Sequence, residues 1–142
     1  MKIKFSKHWK SSKQPRKQRK FLANAPLHIR KKLVSVNLSK DLRKKHGIRN
    51  LPIKRGDTAK ILKGKFKGKG GKVTKVTLKN SKIFIEEIQI KKQDGSKVNI
   101  GLRPSNLQII ELNLSDKKRN LKVSKNEKKE NKEELNRSKK QE

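Results

Sequence analysis

The sequence predicts a mainly β protein: a small five-stranded barrel, preceded by a basic N-terminal extension with two short helices and followed by a charged C-terminal tail. Three observations carry that prediction. Apolar residues alternate at period two in short runs between 58 and 110, the spacing of half-buried strands. Turn residues punctuate those runs at Gly56-Asp57, Asp94-Gly95 and Pro104-Ser105-Asn106. Finally, only 29% of the 142 residues are apolar, and those able to build a core crowd between Leu51 and Leu114. The chain therefore supports one small domain of at most about sixty residues. The expected organisation is an arm over 1–50, a barrel over 51–114 and a tail over 115–142.

The first strand is expected where Ala59 and Ile61 alternate with Thr58, Lys60 and Leu62. The second has Val73 near its start, with Val76 and Leu78 facing one way. The run Lys82 to Ile90 (KIFIEEIQI) is the most β-prone in the chain. Ile83 and Ile85 point one way and Phe84 the other, and a shift at Glu86-Glu87 before Ile88 and Ile90 suggests a bulge. Asp94-Gly95 marks a hairpin turn from which Lys97 to Leu102 pairs back. After the Pro104 turn, Leu107, Ile109 and Ile110 supply the last strand.

Between the first two strands lies a loop of unusual composition. Gly64, Gly68, Gly70 and Gly71 permit positive φ and close backbone approach, while Lys63, Lys65, Lys67, Lys69 and Lys72 stud it with cations. A backbone that approaches closely beside a cluster of ammonium groups suits a phosphate chain. Phe66, in the middle, fits two roles equally: stacking on a base or sugar, or plugging the barrel end.

Charge names the class of partner. The formal net charge is +31, and a compact chain carrying it repels itself unless a polyanion screens it, for which nucleic acid is the natural candidate. The first acidic residue is Asp41, so residues 1–40 hold thirteen Lys or Arg and no carboxylate. Residues 1–24 read as extended or irregular, and 1–23 as disordered without RNA, with a Pro-interrupted basic run from Lys10 to Lys20. A short helix is expected to open at Pro26 and carry Leu27 to Leu33, with Ile29 and Leu33 on one face. A second has Ser39 as N-cap, Asp41 in the first turn, Arg43, Lys44 and Lys45 in the last, and Gly47 beyond its end. From Ser115 onward Lys and Glu mix with almost no apolar residue, which predicts a solvated or weakly helical tail.

Other chemistry finds little support. There is no cysteine, so disulfides and cysteine-ligated zinc are excluded. His8, His28 and His46 are too far apart in sequence for a local metal motif, and no cofactor is expected. The expected barrel carries only Asp57, Glu86, Glu87, Asp94 and Glu111 as acids, without a histidine, and turn chemistry explains Asp57 and Asp94. A phosphate-cradling P-loop needs Gly-Lys followed by a hydroxyl, whereas Gly71-Lys72 precedes Val73. No apolar run reaches membrane-span or signal-peptide length, so a soluble cytosolic protein is expected. An Arg-rich organelle transit peptide over 1–20 is disfavoured by the lysine bias. Lys79, Lys82, Lys91 and Lys92 read as solvated surface.

The stretch from Ile53 to Val76 (IKRGDTAKILKGKFKGKGGKVTKV) resembles the KOW motif, with Gly56-Asp57 as its opening turn, Lys67-Gly68 at the loop tip and Gly71 leading into Val73 and Val76. That likeness implies an SH3-like barrel whose loop touches RNA. The segments Asn24 to Lys32, Leu38 to Arg43, Pro52-Ile53, Asp94-Gly95, Val98, Gly101, Pro104-Ser105 and Leu107 extend the likeness. Together they resemble the archaeal and eukaryotic form of ribosomal protein L24 (L26 in eukaryotes), over Lys13 to Leu121. The resemblance implies a structural protein of the large ribosomal subunit that binds rRNA early in assembly, near the polypeptide exit tunnel and beside other large-subunit proteins. The residues expected to contact RNA are Lys10, Lys13, Arg16, Lys17, Arg19 and Lys20 in the arm; His28, Arg30, Lys31 and Lys32 in the first helix; Lys63, Lys65, Phe66, Lys67, Gly68, Lys69 and Lys72 in the loop; and Arg103. A KOW-bearing transcription elongation factor and a nucleoid-compacting DNA protein stand as alternatives.

Overall fold

The structure, a computed structural model, describes Phe5, Ser6, His8, Trp9 and residues 12–119. The extended or disordered segment expected at the remaining N-terminal positions, and the tail expected beyond 119, lie outside those residues. The described chain is mostly β. Six strands form one sheet in the order β2 (Asn50–Pro52), β1 (Ser35–Leu38), β8 (Leu107–Glu111), β3 (Thr58–Ile61), β4 (Gly70–Thr77) and β5 (Lys82–Ile85), and two more form a separate hairpin.

The centre of the sheet follows the alternation. In β3 (Thr58–Ile61) Ala59 and Ile61 are buried. It pairs antiparallel with β4 (Gly70–Thr77) on one side and with β8 (Leu107–Glu111) on the other. β5 (Lys82–Ile85) continues the sheet beyond β4, and a register shift between Val73 and Lys75 bends that pairing. Ile83 and Ile85 are buried as expected. The outer edge of β5 is covered where Ile83 and Leu102 exchange backbone bonds of 2.9 and 2.8 Å. The chain then runs through a short 3₁₀ turn (Pro104–Asn106) into β8.

The main sheet has six strands in place of the expected five, because β1 (Ser35–Leu38) and β2 (Asn50–Pro52) join it while the strand expected over 97–102 pairs in the separate hairpin. β1 lies within the segment expected to be an arm. It pairs antiparallel with β2 and parallel with β8, matching Leu38 to Ile109. Val36 and Leu38 consequently sit in the same core as Ile61, Val73, Ile85 and Leu107. The core thus begins before Leu51, and residues 34–50 are part of the packed body.

The expected third strand is also divided. Glu87 adopts φ 64°, and the turn there replaces the anticipated bulge. Ile88 points into the core, while β6 (Gln89–Lys91) leaves the sheet to pair with β7 (Lys97–Asn99). Asp94-Gly95 makes that hairpin turn, with Gly95 at φ 84° and Asp94 Oδ1 accepting from the Ser96 N–H and hydroxyl.

Three helices precede the sheet's centre. The segment expected to be irregular contains α1 (Pro15–Asn24), with Pro15 in its first turn. Proline fits there because its missing N–H is unneeded, and Arg, Lys, Gln, Leu and Ala then propagate the helix. α2 (Leu27–Leu33) follows Pro26 as expected. α3 (Lys40–His46) has the expected caps: Ser39 accepts from the Leu42 N–H at 3.3 Å, and Gly47 ends it at φ 60°. Among the described residues no helix is long and apolar enough to cross a membrane.

Candidate nucleic-acid interface

The loop over 62–69 is closed at its base by two bonds of 2.8 Å, from the Ile61 N–H to the Lys69 carbonyl and from the Gly68 N–H to the Ile61 carbonyl. Gly68 therefore sits at the base of the loop and not at its tip. It holds φ 90° with open space where a Cβ would stand, so its requirement is conformational. Gly70 and Gly71 belong to β4, opposite Lys60 and Ala59. A Cβ on Gly71 would come within 3.1 Å of Ile85 Cγ2 and 3.3 Å of the Glu86 carbonyl oxygen. Strand packing accounts for that glycine, in place of the loop freedom expected of it.

Around this frame Lys63, Lys65, Lys67 and Lys69 are all exposed, and Lys72 is exposed on β4. Phe66 is partly buried and packs against the core cluster. The Lys69 ammonium stands 5.8 Å from its ring centroid. The loop thus presents cations on a scaffold whose one aromatic ring is partly spent on the core.

A second basic surface forms where α1 and α2 meet the β4–β5 turn and the 3₁₀ turn. A cleft of about 760 Å³ is lined there by Arg19, Arg30, Lys79, Lys82 and Arg103, with Asn37, Asn50, Asn80, Ser81 and Ser105 among its polar residues and no carboxylate. Arg19 and Arg103, far apart in sequence, are brought together as candidates. Lys79 and Lys82 were expected to be ordinary solvated surface, and the fold makes them walls of the cleft. Only the β4–β5 connection places them there, so no local pattern announces them. Arg30 has a structural duty as well: its Nε donates to the Ala25 carbonyl at 2.8 Å and its Nη2 to the Ala23 carbonyl, tying α2 to the end of α1.

The remaining arm candidates lie outside this cleft. Lys13, Arg16, Lys17 and Lys20 are exposed along α1, which has no acid in its first turn, and His28, Lys31 and Lys32 are exposed on α2. Lys10 lies outside the described residues. Among the described residues no group of His, Cys, Asp or Glu is arranged to hold a metal ion.

One residue pair departs from the expected turn chemistry. Asp57 is fully buried and its carboxylate is held by Arg119, with Nη1 to Oδ1 at 2.6 Å and Nη2 to Oδ2 at 2.8 Å. Oδ2 also accepts from the Lys54 N–H at 2.8 Å and Oδ1 from the Asn113 N–H at 2.9 Å. Arg119 in turn donates to the Asn113 carbonyl. Residues 116–119, expected to be part of a solvated tail, are therefore docked on the body. Desolvation, then the charges of Lys31 and Arg119, lower the pKa of neighbouring Lys54, while Asp57 acts the other way. This clasp orients the chain where it leaves the sheet.

A family model describing ribosomal proteins, L26 in eukaryotes and L24 in archaea, matches residues 12–137. The chain belongs to that family. The match spans α1, every strand and the Arg119 clasp, and it decides against the elongation-factor and nucleoid-protein alternatives. Members are structural, non-enzymatic components of the large subunit of the cytoplasmic ribosome, so the protein's partners are those of a ribosomal component.

Proposed function

We propose that the protein binds large-subunit rRNA and fixes the relative position of several RNA segments. The carboxylate-free cleft carries this reading: five cations from α1, α2, the β4–β5 turn and the 3₁₀ approach converge on one space. Such a site favours phosphate oxygens through charge and guanidinium hydrogen bonds, and it carries little means of reading bases. The loop lysines and the exposed cations of α1 add further phosphate contacts, giving recognition by shape and backbone. The family resemblance supports binding early in assembly, near the exit tunnel and beside other large-subunit proteins.

We also read the body as an SH3-like barrel of the KOW type. The support is the Ile83–Leu102 bridge, which links the β5 edge to the chain that becomes β8, itself bonded to β3. The functional division then places the RNA arm in α1 and α2, with the body beginning at Val34.

Titration of a structured rRNA fragment across a salt series tests the function. If about eight phosphates are neutralised, log K falls against log salt with a slope of roughly −6 to −7. A slope near −1 overturns the clamp.

A further inference from the structure

Three of the chain's five aromatic residues gather outside the core cluster. Trp9 stacks on Phe21 of α1 with centroids 4.4 Å apart and an interplanar angle of 29°, and Phe5 lies 4.8 Å from the same ring. None of the three belongs to the core cluster or packs against it. They line a pocket of about 350 Å³ together with Lys17, Lys20 and Asn24. Lys17, Lys20, Phe21 and Asn24 occupy positions i, i+3, i+4 and i+7 of α1, so cations and ring share one helix face. α1 buries no residue, so this aromatic layer does not attach the helix to the body.

We propose that this pocket is a stacking site for an unpaired nucleobase of the bound RNA, with Lys17 and Lys20 holding the flanking phosphates. The inference rests on the RNA-binding reading and adds a base-dependent contact to an otherwise charge-driven interface. Flat π-faces accept any base, and adjoining ammonium groups fit a polyanion better than an apolar protein surface. Both lysines are exposed and no carboxylate lines the pocket.

Trp9 is the only tryptophan, so its fluorescence reports this pocket alone. The full chain is titrated with an oligoadenylate of about twelve nucleotides and with an abasic ribose-phosphate oligomer of equal length, which carries the charge without the bases. Oligoadenylate quenches Trp9 emission and binds roughly 5- to 150-fold more tightly than the abasic oligomer, the range of one stacked base. Trp9→Leu and Trp9→Phe carry no tryptophan, so their binding is followed by the fluorescence anisotropy of 5′-labelled oligomers. With an unchanged circular dichroism spectrum Trp9→Leu loses the increment and keeps abasic binding, whereas Trp9→Phe keeps most of the increment. Equal affinity for both oligomers without quenching overturns the base pocket while leaving RNA binding standing. Failure of both oligomers and of a structured rRNA fragment to bind overturns both readings. Retention of the increment in Trp9→Leu places the base elsewhere and overturns the proposal. Quenching by large-subunit proteins stripped of rRNA, with none by oligoadenylate, assigns the pocket to a protein and overturns it too.

Discussion

Asp57→Ala strikes a buried charge pair of the body, and the structure supplies its own control. Asp57 is 0% exposed at its side chain and Arg119 4%. The substitution removes the anion that receives two guanidinium bonds and also strands the N–H groups of Lys54 and Asn113. Removing one partner of a buried pair leaves an uncompensated charge and costs about 3–5 kcal/mol. For a domain near 100 residues that lowers Tm by roughly 12 °C or more. Asp116, only three residues from Arg119, pairs with Lys54 at side-chain exposures of 36% and 34%. An exposed pair is worth about 0–1 kcal/mol, so Asp116→Ala is expected to shift Tm by a few degrees at most. The assay is thermal unfolding followed by circular dichroism, repeated at high salt. The Asp57→Ala deficit persists there, because solvent ions screen a buried pair little. If both variants melt within a few degrees of wild type, the clasp contributes no net stability and residues 116–119 rest on the body without fastening it.

Gly68→Val places a β-branched side chain at φ 90° and is expected to destabilise by about 1–2 kcal/mol, seen in denaturant unfolding, with Gly68→Asn milder; equal stability of the two would remove the conformational argument. Gly71→Ala is expected to destabilise through contact with Ile85 and Glu86, by about 1–3 kcal/mol, and a neutral result in the same unfolding assay would show that the strands part freely. In the cleft, Lys82→Ala and Arg103→Ala each weaken rRNA binding and reduce the salt slope by about one unit or less, without altering unfolding; slopes identical to wild type would empty the cleft of RNA. The bonds from Ser96 hold the Asp94 pKa below its ordinary value, so the turn is favoured above the unfolded carboxyl pKa and loses that support as pH falls through the lower folded one. An NMR titration of Ser96→Ala returns the Asp94 midpoint upward, and an unmoved midpoint refutes the cause assigned.

Local chemistry was legible wherever a residue's neighbours in sequence are also its neighbours in space. The caps of α3, the Pro26 start of α2, the Asp94-Gly95 hairpin and the inward alternation of Ile83 with Ile85 all fall in that class. Even within it, Pro15 reads in sequence as an interruption of a basic run, whereas in a first turn the same residue helps start α1.

The excess of cations, their concentration before Asp41 and around the glycine-rich loop, and the family to which these residues point all follow from residue order alone. Which of those cations face one another depends on how the chain closes on itself. Lys79 and Lys82 join Arg19 and Arg103 because the β4–β5 turn folds toward α1. Arg119 reaches Asp57 across 62 residues of chain. β1 enters the core because its parallel partner is the last strand of the sheet. Each is a long-range pairing whose free energy comes from burial or charge complementarity formed only on closure, and such contacts leave no periodic trace in the residues on either side.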